Sequence, residues 1–147
     1  MSKSDNKDFN VGLQLKSIEI LKSNLSLPPT KEVVLNKFNF NINLESKADP
    51  KSKMLFVIVS VEISSEDRSH ILGSLTASCI YEIINFKENI KIEVGGEIIM
   101  PQQLTDMLNS ISISTIRGVM FSTFKGTFLH NAILPIIDPR QFISSEI

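Results

Sequence analysis

The chain lacks tryptophan altogether and holds one cysteine, one tyrosine and two histidines. A lone thiol, Cys79, cannot close an internal disulfide or build a thiolate metal cluster. His70 and His130 leave an all-histidine metal site short of ligands. Neither a metal nor a cofactor is therefore expected. Charge of one sign is missing too: 15 Lys and Arg stand against 16 Asp and Glu, a formal net charge of -1. The strongly basic surface of a nucleic-acid binder is not expected. No run approaches the roughly eighteen apolar residues of a membrane span. Residues 1–8 are polar and mixed in charge, with no apolar run behind them. Neither a targeting segment nor stable membrane insertion is expected, which points to the cytoplasm.

What is present is apolar and strand-forming. Of 147 residues, 42 % are hydrophobic and 21 % charged, with twenty-one isoleucines and nine phenylalanines. That is enough for one core, with much apolar surface to place. One domain is expected over 9–143, behind a flexible tail at 1–8. Phe9, Val11, Leu13 and Leu15 share one phase of a period-two pattern, and Ile18 and Ile20 continue it in the other phase. A first strand over 9–24 therefore needs a bulge or bend near Lys16-Ser17 to keep its apolar side chains on one face. Leu25 to Thr30 contains Pro28 and Pro29 and reads as an extended crossover.

Residues 34–45 form the cleanest strand. Phe38, Phe40, Ile42 and Leu44 alternate with Asn39, Asn41, Asn43 and Glu45, which predicts one buried and one wet face. A polar turn over 47–53 leads to a third strand, 54–63, apolar on both faces for part of its length. A second polar turn at 64–69 leads to a fourth strand over 70–81. The fold class is α+β, with a four-stranded antiparallel meander or Greek-key sheet. After Phe86 the chain is charged and short-ranged as far as a tight turn at Gly95-Gly96. Pro101 opens a short helix, and the best helix runs from Ile111 to Lys125, capped by Ser112 or Ser114. Its stripe is Ile113, Ile116, Met120 and Phe124, widened by Val119 and Phe121, and Gly126 stops it. Residues 127–135 read as extended.

No constellation of catalytic residues emerges. Ser114, His130 and Asp138 have no nucleophile-elbow motif around them. Glu66-Asp67 reads as a solvated hairpin tip, His70 as a surface histidine beside it, His130 as structural and Cys79 as a buried thiol. Gly95-Gly96 lacks the Gly-Lys-Ser/Thr of a phosphate loop. Arg117, alone in the most apolar helix, reads as a salt bridge or subunit contact whose stem covers apolar surface. The chain is not expected to be an enzyme. The third strand and the broad-faced helix leave apolar surface over, for oligomerisation, a ligand groove or both.

The C-terminal third resembles the bacterial SecB protein-export chaperone family. The residues that carry the likeness are Ser114-Thr115-Ile116-Arg117-Gly118-Val119, Phe124-Lys125-Gly126-Thr127-Phe128 and the segment from Leu134-Pro135 through Asp138 to Phe142. The resemblance implies a Greek-key sheet with helices packed on one face, assembled as dimers or tetramers through sheet edges and long helices. It implies an ATP-independent holdase that binds unfolded client polypeptides in apolar grooves. Positions matching groove or wall residues are Leu25, Leu27, Phe38, Phe40, Phe56, Ile58 and Phe121. Ile116, Arg117, Met120, Gly126, Thr127, Phe128 and Pro135 match structural or oligomer positions. The stretch where the family carries acidic contacts to the translocase motor reads Lys22-Ser23-Asn24, the crossover is short, a last helix of little more than a turn is expected, and no zinc-binding tail is expected. Protection of a specific client, such as an antitoxin, fits these departures as well as export does. The competing expectations are an oligomeric assembly module with no client and a carrier of small hydrophobic ligands.

Overall fold

The computed structural model describes residues 12–27 and 37–138. The tail at 1–8, the start of the first strand, Pro28-Pro29-Thr30, residues 34–36 and the last short helix lie outside them. The chain runs β1 (Leu13–Leu25), β2 (Phe38–Asp49), β3 (Met54–Ser65), β4 (Ile71–Ile83), α1 (Phe86–Asn89), β5 (Lys91–Ile92), β6 (Ile98–Ile99) and α2 (Gln102–Thr123). The large sheet has the order β1-β4-β3-β2, every pair antiparallel. Strands β2, β3 and β4 follow one another through hairpins, and β1 lies on the far side of β4, away from β2, which follows it in the chain. Of the meander and the Greek key that the strand pattern left open, this is the Greek key, as the resemblance implies.

The register divides the sheet into two faces. Leu55, Val57, Val59, Val61 and Ile63 of β3 pair with Tyr81, Cys79, Ala77, Leu75 and Gly73 of β4, and all ten are buried. Helix α2 covers this inner face over β3 and β4. Tight turns close the two hairpins. Asp49 accepts from the Lys51 N–H at 3.2 Å and the Ser52 hydroxyl at 2.8 Å, and Lys53 takes a φ of 58°. Because the ladder to Met54 and Leu55 continues, β2 runs on to Asp49 instead of ending at Glu45. At the other hairpin Asp67 accepts from the Ser65 and Ser69 hydroxyls and the Ser69 N–H. The Ser69 hydroxyl, then its N–H and the Ser65 hydroxyl, hold the Asp67 carboxyl down at about 2. The expected hairpin tip is thus a tied polar knot.

The helical region departs from expectation in one respect. There is no break before Ile111: α2 is continuous over Gln102–Thr123. Its buried stripe, Leu104, Leu108, Ser112, Ile116 and Met120, repeats every four residues with Ile113 widening it, so packing on the sheet carries the helix through. Ser112 is consequently no cap. It sits buried on the sheet side, 2.7 Å from the Tyr81 hydroxyl. Burial pushes the Tyr81 phenol up to about 12 and raises the Cys79 thiol, which keeps both neutral. Between β4 and α2 the chain makes α1 and a small β5–β6 hairpin, turning at Gly95 and Gly96, whose φ values are 103° and 87°. Among the described residues no helix is long and apolar enough to cross a membrane.

Candidate functional site

Exposed apolar side chains are most numerous on β1, at Leu15, Ile18, Ile20, Leu21 and Leu25; Ile92, Val94 and Ile99 are exposed around the β5–β6 hairpin, and Phe121 near the end of α2. The pattern on β1 depends on two register shifts, at Leu15/Ser17 and Ile20/Lys22. The first is the bulge that the phase slip demands. With Lys16 taken out of the ladder, Leu15, Ile18 and Ile20 all pair with inner-face residues, Tyr81, Cys79 and Ala77. With Leu21 also taken out, Leu25 pairs with Gly73 on the same face. Helix α2 lies over β3 and β4, so the inner side of β1 stays open. Ile18 is 41 % and Ile20 53 % exposed. The backbone edge of β1 beyond β4 has no partner strand among the described residues. Lys16, displaced to the outer side, ion-pairs with Glu82 at 3.1 Å.

The groove residues expected from the sequence fall into two sets. Leu25, Gly73, Ile63 and Phe40 form one row across all four strands, through successive pairs. Phe38 begins β2 beside that row. The turn after α2 sits on the middle of the row: a side chain at Gly73 would collide with Leu129 and come to 3.1 Å from the Asn24 carbonyl oxygen. Leu25 and Phe40 thus flank the helix end, with Leu27 strongly exposed just beyond β1 and Phe121 half exposed on α2. Phe56 and Ile58 are elsewhere. They pair with Ile80 and Ser78 on the outer face, where with Met54 they form a half-buried apolar island. The sheet itself separates them from the other five. The Ser78 hydroxyl beneath this island is buried without a protein partner among the described residues.

The motif residues build the corner after α2. Ile116 and Met120 are buried against the sheet. Gly126 takes a φ of 79°, the left-handed turn that glycine allows. The Thr127 hydroxyl donates to the Phe124 carbonyl at 2.7 Å and accepts from the Leu129 N–H at 3.1 Å. Phe128 packs half-buried on the core. The expected extended run begins later than residue 127, because 127–131 are turns. Arg117 corrects the expectation of a salt bridge: Nε donates to the Leu134 carbonyl at 2.7 Å and Nη2 to the Pro135 carbonyl at 2.8 Å. Both bonds reach main chain, not carboxylate.

Leu15, Ile18 and Ile20 were legible as apolar but not as exposed, because exposure on this face depends on where α2 ends laterally.

No family model and no curated protein matches the chain. A solved structure does: a SecB-like chaperone of Mycobacterium tuberculosis in complex with a ChAD peptide from the HigA1 antitoxin. The TM-score is 0.52 at 12 % identity, over 84 % of this chain and 83 % of that one. The fold is SecB-like. The antiparallel four-stranded sheet under a helix is what the likeness rests on, since so low an identity carries no residue roles across.

Proposed function

We propose that this protein is an ATP-independent chaperone that holds unfolded polypeptide on apolar surface around β1 and the end of α2. The observation that carries the reading is the open inner side of β1 in a SecB-like fold. Leu15, Ile18, Ile20 and Leu25 present a row of aliphatic side chains that a helix covers on the neighbouring strands and leaves bare here. Leu27, Phe38, Phe40 and Phe121 extend the surface around the helix end, and Phe56 and Ile58 serve a separate outer site. Branched aliphatic and aromatic side chains bind extended apolar segments with little demand on sequence. No catalytic step is involved, and the protein is not an enzyme. The bare β1 edge offers main-chain donors and acceptors to a second copy, so the protein works as a homo-oligomer. Edge and face of β1 thereby have different uses.

A dedicated client in the cytoplasm is preferred over general export. Lys22, Ser23 and Asn24 supply no acidic contact for a translocase motor, and the similar structure holds an antitoxin peptide. The bare edge alone also favours a second reading, an assembly module with no client. Aggregation of a chemically denatured protein, followed by light scattering, separates the two. Stoichiometric suppression without ATP is expected, and the I18D/I20D variant is expected to lose it. Unchanged aggregation in the presence of well-folded oligomer leaves only the assembly module.

A further inference from the structure

Residues 132–138 belong to no helix or strand, yet the chain here is held down. Ala132 and Leu134 are buried at 4 % and 1 %, whereas Ile133 between them is 55 % exposed. Alternate side chains in and out is how an extended peptide lies on an apolar surface. Pro135 holds Leu134 to extended backbone and has no N–H of its own. The polar anchor is Arg117, whose fork binds the carbonyls of Leu134 and Pro135. Those acceptors are main-chain atoms, so any extended segment can supply them. Ala132, Leu134, the partly buried Ile137 and the Arg117 guanidinium hold the strap, but residues 132–138 join no strand ladder, so it opens more readily than a paired strand.

We infer that this strap is an internal stand-in for client: it occupies a slot for extended polypeptide, and Arg117 is the clasp that an incoming chain takes over. The inference rests on the chaperone reading and deepens it. Opening the strap frees the seats of Ala132 and Leu134 and both Arg117 donors. Client affinity is then reduced by the fraction of molecules in which the strap is closed, and loosening the strap raises it. Leu134→Ala weakens the strap and leaves the slot and the clasp intact. Arg117→Lys keeps the charge and stem but loses the fork.

The test combines hydrogen exchange over residues 130–138 with binding of a fluorescent, reduced and carboxymethylated polypeptide that cannot fold. Leu134→Ala is expected to speed exchange in the strap by about tenfold or more and to tighten probe binding by a similar factor. Arg117→Lys is expected to speed exchange too, and the exposed Ile133→Ala to change neither. A peptide with the sequence of residues 130–138, added to Leu134→Ala, is expected to displace the probe, a readout independent of the variant's stability. If the strap opens in Leu134→Ala while probe affinity stays level or falls, or if the peptide does not compete, the strap is no stand-in and the inference is overturned. If neither wild type nor variants bind the probe, the chaperone reading fails and takes the inference with it.

Discussion

The two edge strands of the sheet follow opposite rules. Strand β2 keeps strict alternation from Phe38 to Leu44, with no register shift against β3. Its inner side chains, Phe38, Phe40, Ile42 and Leu44, pack half-buried against the core, and its outer side is asparagine and charge. Strand β1 breaks phase twice and is exposed at every position after Leu13. Both strands carry aliphatic residues on the inner face. The difference is cover, since the helix lies over the centre and β6 reaches β2 but not β1. A hydrophobic pattern therefore specifies a face, while neighbouring elements decide whether that face is core or exposed surface.

The sharpest way to break this comparison is to delete one residue from each edge. Removing Asn41 shifts part of β2 by one and turns Phe38 and Phe40 to solvent, or forces their neighbours out. A loss of about 3 kcal/mol or more in chemical denaturation is expected. Removing Lys16 takes out the bulge residue itself and leaves Leu15, Ile18 and Ile20 on the inner face. Only the half-exposed ion pair with Glu82 goes, so a change within about 1 kcal/mol is expected in the same measurement. If both deletions unfold the protein, the bulge is not a spare residue and the contrast fails.

Point substitutions sharpen the same contrast. Phe40→Ala is expected to cost about 2 kcal/mol of stability, below the value for a fully buried phenylalanine because the ring is half-buried. Ile20→Ala, on a half-exposed side chain, is expected to cost under about 1 kcal/mol while weakening client binding measurably by fluorescence titration. Equal losses at the two sites would mean that β1 is covered in solution.

The smallest effect expected is one of pH, at the tip that joins β3 to β4. Asn39 of β2 reaches this tip, donating to the Ser65 carbonyl at 3.0 Å and to that of Glu66. Asp67 has a folded value of about 2 against 3.8 in the unfolded chain. The unfolded state thus binds more protons between those values. Its contribution to stability is complete above about pH 4 and fades as the pH falls through about 2. Asp67→Asn should flatten that part of a stability profile and leave the neutral end little changed in slope.

Much of the sheet was legible in the residues themselves. Alternation in β2, the two-sided apolar run of β3, both polar turns and the slip at Lys16-Ser17 each translate into one backbone geometry. The helix was legible as a helix but not as one helix. Ser112 and Ser114 suggested a start, and only the Tyr81 hydroxyl facing Ser112 shows why a serine belongs on the buried stripe. The candidate site was the least legible. Phe56 and Phe40 look alike in sequence, but the β2–β3 register sets Phe40 beside the inner-face Ile63 and Phe56 beside the outer-face Lys47, which puts them on opposite sides of the sheet. Arg117 invited a carboxylate partner, and the partner is backbone that arrives from 17 and 18 residues further along the chain.

By itself, the sequence determined the strands, their faces and the need for a bulge, because period and phase are local properties of a pleated chain. It also determined that apolar surface would exceed what one helix can cover. Only the tertiary structure decided where that excess lies. Lateral placement of α2 over β3 and β4, and the return of the strap to Arg117, depend on packing between residues far apart in the chain. No local pattern encodes which of two equally apolar edges is left open.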